Sequence, residues 1–175
     1  LVQLIYSSQL GIWAIIIAEL VLVWKISNSV AKENRSLATT TLMFIIFSAL
    51  NGLTLSSIFV VFAPAAIIKT FAVTAGTFGV MAAYGYFTSR DLTKIGGLLF
   101  MALIGVIIAS VVNMFLHSSG LDLVVSIIGV LVFVGLTAWD SQQIKMSLAM
   151  APDLGETSQK LAVTGALSLY LDFVN

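Results

Sequence analysis

The chain has 175 residues, of which 59% are hydrophobic and only 9% are charged. This composition and a mean hydropathy of +1.09 exclude an ordinary soluble domain and indicate an integral membrane protein. Eight basic and eight acidic residues balance to zero formal net charge, so the sequence gives no indication of a nucleic-acid partner. The absence of cysteine excludes disulfides, thiol nucleophiles and cysteine-ligated metals.

Apolar stretches of about 20 residues, the length that crosses a hydrocarbon core, predict six membrane-spanning helices. The predicted spans cover residues 4–24, 37–62, 65–87, 95–116, 121–144 and a sixth stretch that begins at residue 161. Pro64 separates the second span from the third, because proline cannot continue a helix. We therefore predict an all-α integral membrane protein, a polytopic helical bundle in which residues 1–175 form one transmembrane domain.

The distribution of basic residues predicts how the spans are oriented. Cytoplasmic loops of membrane proteins carry an excess of lysine and arginine. Three loops, at residues 25–36, 88–94 and 145–160, contain Lys25, Lys32, Arg35, Arg90, Lys94, Lys145 and Lys160. Of the basic residues only Lys69 lies toward the opposite side. We expect these three loops in the cytoplasm of a bacterium and the multi-pass chain in its inner membrane.

Small residues recur at helical spacing along the third and fourth spans. The stripe on the third span consists of Ala72, Ala75, Gly76, Gly79, Ala82 and Ala83, and that on the fourth of Gly97, Gly105 and Ala109. Small side chains allow two helix backbones to approach closely. We predict that both stripes are helix-packing faces without chemistry.

Three acidic residues, Glu19, Asp140 and Asp172, lie inside apolar stretches. An ionised side chain near the bilayer centre costs roughly 3 kcal/mol on insertion scales, so each acid must be paired, protonated or exposed to a polar path. Asp140 and Asp172 lie on consecutive antiparallel spans, which are natural neighbours. If they meet, they cannot both ionise in a low dielectric and will share a proton. For either aspartate alone, the alternative is an interhelical hydrogen bond or an ion pair with lysine.

The same acids are candidate ligands of a cation. Calcium prefers hard oxygen ligands and takes about six to eight of them, whereas two carboxylates supply at most four. A calcium site at Asp140 and Asp172 would therefore be weak and in competition with protons. The residue types alone leave open whether the acids handle protons or a metal cation.

Four segments carry a resemblance to a known family. They are residues 51–59 (NGLTLSSIF), 89–92 (SRDL), 135–145 (GLTAWDSQQIK) and 165–175 (GALSLYLDFVN). In this order and with these spans between them, they resemble the transmembrane Bax-inhibitor-motif family, also called the Bax inhibitor or lifeguard family, in its bacterial branch. The resemblance covers essentially the whole chain.

The resemblance implies a seven-helix, non-enzymatic membrane protein that acts as a pH-sensitive calcium leak, with calcium as the transported ion and no cofactor. Asp140 and Asp172 match the pair of aspartates that senses pH near the cytoplasmic side. Glu19 resembles the acid of the family's second helix, and Arg35 or Lys32 is expected to supply the basic partner of the sensor. The family's first helix and the end of its last helix are then expected to be trimmed from this chain.

Two other functions remain as alternatives. In a membrane scaffold that regulates partner proteins, the aspartates would only lock helices together. An intramembrane aspartyl protease also needs two aspartates that share a proton. Such proteases are expected to carry a Tyr-Asp motif and a Gly-x-Gly-Asp motif. Here the two aspartates occur as Trp139-Asp140 and Tyr170-Leu171-Asp172, and no glycine lies near the second one.

Overall fold

A computed structural model describes residues 9–30, 36–151 and 155–174. Throughout these ranges the regular structure is helical and contains no strand. The helices are α1 (Gln9–Ser27), α2 (Leu37–Leu55), α3 (Ile58–Val61), α4 (Pro64–Phe87), α5 (Thr93–Leu116), α6 (Ser119–Ala149) and α7 (Glu156–Val174).

Four stretches of the described residues are long and apolar enough to cross a membrane. They are Leu37–Val61, Pro64–Phe87, Thr93–Leu116 and Ser119–Ala149, which correspond to the second to fifth predicted spans. Helices α1 and α7, with 19 residues each, correspond to the first and sixth. Large apolar side chains along α1, α2, α4, α5 and α6 remain exposed, as expected for surfaces that face lipid. The predicted all-α membrane fold is confirmed.

The second predicted span differs from the structure because it is interrupted near its end. Helix α2 ends at Leu55 and α3 begins at Ile58. In between, the hydroxyl of Ser56 donates to the Leu53 carbonyl at 2.6 Å, and the hydroxyl of Ser57 donates to the Thr54 carbonyl at 2.8 Å. Such bonds from serine to the preceding turn compete with the backbone ladder and locally disturb the helix.

The loop predicted at residues 145–160 is much shorter in the structure. Helix α6 continues to Ala149 and α7 begins at Glu156, so each helix extends by several residues beyond its apolar stretch. One anchor of the extended α6 is Lys145, whose ammonium donates to the Tyr86 carbonyl at 2.7 Å and lies 5.1 Å from the centre of the Tyr86 ring. Apolarity marks only the part of a helix inside the membrane, so the extensions are invisible to a hydropathy reading.

The chain divides into two compact units. The first comprises Leu1–Phe71 and Ala151–Leu167, and the second comprises Ala72–Met150 and Ser168–Asn175. Helices α4 and α7 therefore contribute residues to both units.

In the first unit, Glu156 links the beginning of α7 to the beginning of α2. Its carboxylate accepts the Leu37 backbone N–H at 2.5 Å and lies 3.6 Å from the ammonium of Lys160. Lys160 is only 5% exposed. A carboxylate at the first N–H groups of a helix satisfies a donor that has no partner within the helix, so Glu156 serves both α2 and the buried lysine.

In the second unit, a tight reversal joins α5 to α6. His117 adopts a left-handed conformation, with φ of 49° and ψ of 37°, and its N–H donates to the Asn113 carbonyl at 2.8 Å. The Asn113 side chain accepts the Ser118 N–H at 3.0 Å, and the Ser118 hydroxyl accepts the Leu121 N–H at 3.4 Å. These bonds cap the end of one helix and the beginning of the next.

The backbone at His117 yields a prediction about stability. A β-branched residue is strongly disfavoured in the left-handed region, whereas glycine is not. We expect His117→Val to lower the free energy of unfolding by about 1–2 kcal/mol, and His117→Gly to preserve or raise it. The measurement is thermal unfolding of each purified variant in the same detergent. Equal melting temperatures for the valine and glycine variants would contradict this account of the reversal.

Candidate functional site

The segment of α6 around Asp140 packs closely against α4. A Cβ atom added at Gly85 would collide with the backbone of Ala138, so only glycine permits this approach of the two helices. The hydroxyl of Ser141 donates to the Ala82 carbonyl at 2.8 Å. These two contacts fix α6 on α4 on either side of Asp140.

Gln142 fastens the same segment to the turn between α4 and α5. Its amide nitrogen donates to the Arg90 carbonyl at 2.8 Å, and its amide oxygen accepts the Leu92 N–H at 2.9 Å. The side chain is only 6% exposed. A buried amide with both ends bonded contributes to stability, whereas an unpaired one would be costly. Gln142 thus holds the turn against α6.

The indole of Trp139 occupies a gap in α5 that Gly96 provides. A Cβ atom at Gly96 would collide with the indole ring. One helical turn earlier, a Cβ at Gly135 would lie 2.7 Å from a methyl group of Leu99. The pairs formed by Gly96 with Trp139 and by Leu99 with Gly135 set the antiparallel register of α5 and α6.

The second acid, Asp172, lies near the end of α7. Its neighbour Phe173 packs edge to face on Phe78 of α4, with ring centres 5.4 Å apart and an angle of 86° between the planes. Edge-to-face pairs contribute about 0.5–1.5 kcal/mol beyond their buried area. This aromatic contact anchors the last turns of α7 within the second unit.

The two aspartates meet. The side chains of Asp140 and Asp172 lie within hydrogen-bonding reach of each other. Asp172 Oδ2 is buried and has no N–H or O–H donor among the described residues. Two carboxylates are acceptors only, so a hydrogen bond between them requires a proton on one of them.

Both aspartates also line one cavity of about 590 Å³. Its walls are formed by α5, α6 and the last turns of α7, and most of the lining side chains are apolar. The other polar groups on its wall are Ser110, Ser168 and the indole of Trp139. The Trp139 N–H is buried and has no acceptor within the described part of the chain.

The remaining predicted site residues lie elsewhere. Glu19 is half-buried in the first unit, where its carboxylate accepts the Thr54 hydroxyl at 3.1 Å. The proposed basic partners, Arg35 and Lys32, lie outside the described residues. No group of three or more metal-ligating side chains occurs in the described ranges, so a calcium ion at Asp140 and Asp172 would find only two carboxylates.

The predicted packing faces are wrong in detail. A Cβ atom added at Gly76, Gly79, Gly97 or Gly105 would meet open space in the described structure. The glycines that permit close contact in the second unit are Gly85, Gly96 and Gly135 instead. The physical reason is that small residues on membrane helices occur on surfaces that face lipid as well as on surfaces that face another helix, and their spacing alone does not distinguish the two.

Comparison with known proteins identifies the family. A family model described as "Inhibitor of apoptosis-promoting Bax1" matches residues 1–175. The chain belongs to this Bax inhibitor family.

Several bacterial relatives support the Bax inhibitor assignment. The chain is 49% identical to "Inner membrane protein YbhL" of Escherichia coli K12 over 175 residues, which is 99% of this chain and 74% of the relative. It is 46% identical over 172 residues to an uncharacterized protein of Borreliella burgdorferi, covering 98% of this chain and 73% of that one. An uncharacterized membrane protein of Streptococcus pyogenes serotype M1 is 38% identical over 175 residues, covering all of this chain and 74% of its own length. The protein is therefore a multi-pass bacterial inner-membrane protein of the Bax inhibitor family, as the sequence predicted.

The structure adds residues to which the sequence assigned no role. Ser141 and Gln142 belong to the family-like segment 135–145, but their interhelical bonds were not predicted. The available signal was a run of polar residues that directly follows the intramembrane Asp140. Polar side chains at such a depth need partners, and these partners lie on α4 and the following turn.

The Gly96 contact predicts how sensitive the site is to packing. We expect Gly96→Ala to lower the free energy of unfolding by about 1–3 kcal/mol, because the added methyl group forces the Trp139 indole out of its place. The matched control is Gly97→Ala, one residue further along α5, where a methyl group would meet open space. Thermal unfolding and the emission maximum of Trp139, in a Trp13→Phe/Trp24→Phe background, measure both effects. Equal behaviour of the two alanine variants would contradict the proposed contact.

Proposed function

We propose that this protein is a pH-sensitive calcium leak of the bacterial inner membrane, controlled by a proton shared between Asp140 and Asp172, and that it is not an enzyme. The observation that supports this proposal is the meeting of the two carboxyl groups at the wall of one cavity. In this proposal the bilayer, calcium ions and protons are its partners, and it needs no cofactor. The loops at residues 25–36, 88–94 and 145–160 face the cytoplasm in this proposal, which exposes the sensor to internal pH.

The control step follows from electrostatics. With one proton, the pair is joined by a hydrogen bond and α6 stays close to the last turns of α7. Without the proton, the two negative charges repel each other. For scale, any two unit charges at a separation of about 4 Å interact by about 4 kcal/mol at an effective dielectric constant of about 20. Moving a two-state equilibrium from 1:99 to 99:1 takes about 5.5 kcal/mol. Loss of one proton therefore supplies most of the free energy needed to favour a second arrangement of the helices.

Other charged groups in the described second unit are less suited to this role. Arg90 and Asp91 lie in the turn between α4 and α5, and Lys94 lies in the first turn of α5. Lys145 is bonded to the Tyr86 carbonyl. Hydrogen bonds from the Thr93 side chain and backbone hold the pKa of Asp91 below its ordinary value, so Asp91 stays ionised at neutral pH. His117 and Asp122 lie at the opposite end of α6 from Asp140.

Asp140 and Asp172 supply too few oxygen ligands to hold calcium tightly, which suits transient passage of the ion better than stable binding. Two carboxylates supply at most four oxygens, and calcium requires about six to eight. An ion that reaches the pair must keep part of its water shell and is bound weakly, as conduction requires.

Calcium flux into liposomes tests the proposal. The protein is reconstituted into liposomes that contain a calcium-sensitive dye, and influx is recorded at several pH values. We expect wild type to leak calcium with an influx that changes about tenfold over the range in which the pair titrates, which corresponds to about 1.4 kcal/mol of coupling. Asp140→Asn and Asp172→Asn remove the shared proton, so each should abolish most of this pH dependence.

A matched control is Asp122→Asn, the same substitution in the first turn of α6, where the side chain is exposed. It should retain the wild-type pH profile. A leak whose size and pH dependence are unchanged in both Asp140→Asn and Asp172→Asn would contradict the sensor assignment. The absence of flux from every liposome would favour the scaffold, and cleavage of a membrane substrate without flux would favour the protease.

A further inference from the structure

Basic and aromatic side chains lie together at one end of the second unit. Arg90 lies in the turn between α4 and α5, Lys94 in the first turn of α5, and Lys145 in the last turns of α6. The aromatic residues are Tyr86 and Phe87, the last two residues of α4. All five residues are exposed, and together they are called the cationic corner below.

Hydrogen bonds from α6 hold the cationic corner together. The Gln142 side chain donates to the Arg90 carbonyl at 2.8 Å and accepts the Leu92 N–H at 2.9 Å. Lys145 lies three residues further along, on the same face of α6. Its ammonium donates to the Tyr86 carbonyl at 2.7 Å, which uses one of the three donors of an ammonium group. The backbone that carries the basic residues is therefore fixed by the fold.

The cationic corner lies at a surface of the membrane. The spans Pro64–Phe87 and Thr93–Leu116, which meet at this turn, are each long and apolar enough to cross a bilayer. The rings of Tyr86 and Phe87 pack edge to face with centres 5.1 Å apart, and aromatic rings concentrate where helices leave the hydrocarbon. Phe87 is 80% exposed and Leu98, one turn into α5 from Lys94, is 69% exposed. Exposed apolar side chains thus adjoin the basic ones, as a lipid molecule requires.

The charge of this side of the chain selects the class of lipid. The acid in the same turn, Asp91, is engaged by the Thr93 N–H at 2.9 Å. The three loops predicted on this side of the membrane, residues 25–36, 88–94 and 145–160, contain seven basic and four acidic residues. The excess of positive charge therefore persists when every acid of these loops is ionised. Such surfaces attract lipids with a net negative charge, whereas the phosphate of a zwitterionic lipid carries its own cation.

We propose that the cationic corner binds the phosphate headgroup of an anionic phospholipid of the bilayer. The Arg90 guanidinium donates paired hydrogen bonds to two phosphate oxygens, and the ammonium groups of Lys94 and Lys145 act as point charges beside them. The acyl chains lie along the exposed Phe87 and Leu98. This inference depends neither on the acid pair nor on calcium transport.

Native mass spectrometry of the full chain tests the inference. The protein in detergent is titrated with dioleoyl-phosphatidylglycerol and, in a separate series, with dioleoyl-phosphatidylcholine, and the dissociation constant of the first bound lipid is measured. The acyl chains are identical, so the comparison isolates the headgroup. We expect phosphatidylglycerol to bind at least about tenfold more tightly, which corresponds to about 1.4 kcal/mol.

A pair of identical substitutions locates the site. Lys94→Gln should weaken phosphatidylglycerol binding about fivefold, which corresponds to about 1 kcal/mol for one basic residue at a membrane surface, and leave phosphatidylcholine binding unchanged. The matched control is Lys25→Gln, which removes an exposed lysine near the end of α1 in the first unit. It should retain the wild-type affinity, because Lys25 is predicted on the same side of the membrane but is not part of the cationic corner.

Two further variants test the electrostatic argument without disturbing Lys145. Arg90→Gln/Lys94→Gln should weaken phosphatidylglycerol binding at least about tenfold. Asp91→Asn should tighten it by about the factor lost in Lys94→Gln, because it removes one negative charge and keeps an acceptor for the Thr93 N–H. Thermal unfolding of each variant in the same detergent verifies that it is folded.

Three results would overturn the inference. They are equal affinity for the two lipids, phosphatidylglycerol binding that is unchanged in the double variant, and equal weakening by Lys25→Gln and Lys94→Gln. The last result would show that the lipid responds only to the total charge on this side of the chain. Calcium flux without a preference for phosphatidylglycerol would refute the lipid site alone, and lipid binding without flux would refute the leak alone.

Discussion

The contact between the carboxyl groups of Asp140 and Asp172 is the constraint on which the candidate site depends. In water, both carboxyl groups could ionise, because water solvates and screens their charges. Within a membrane helix bundle the free-energy cost of ionising the second carboxyl group is much higher, because the dielectric constant is lower. Asp172 Oδ2 has no other donor in the described structure, so a proton on the pair is the donor that the geometry offers. In the proposed mechanism protonation and helix position are linked, because the proton that neutralises one acid also joins two helices.

The packing of the rest of the second unit holds the carboxyl groups of Asp140 and Asp172 in contact. Backbone contact at Gly85 and the hydrogen bonds of Ser141 and Gln142 hold α6 against α4 and the following turn. The Phe78–Phe173 contact holds the last turns of α7 against the same α4. Helix α4 thus packs against both of the helices that carry the acids. The apolar cavity beside the acids is the space that remains between α5, α6 and the last turns of α7.

The sequence predicted the spans and the unusual acids, because hydropathy and the cost of a buried charge are local properties of the chain. It did not predict the helix register. The meeting of Asp140 with Asp172 depends on how far α6 and α7 extend past their apolar stretches, and the polar residues of these extensions carry no hydropathy signal. The packing glycines were misplaced for a related reason: Gly96 and Gly97 are equivalent in sequence, but only Gly96 faces the Trp139 indole. Such differences arise from tertiary contacts and require coordinates.

Infrared spectroscopy of the carboxyl groups tests the shared proton most directly. Wild type, Asp140→Asn and Asp172→Asn are titrated in the same lipid, and the absorption of protonated carboxyl groups is followed with pH. If the two aspartates share a proton, each substitution changes the titration of the aspartate that remains, because the two groups titrate as one coupled pair. If the titrations of the two single variants add up to that of wild type, the aspartates titrate independently and the shared proton does not exist.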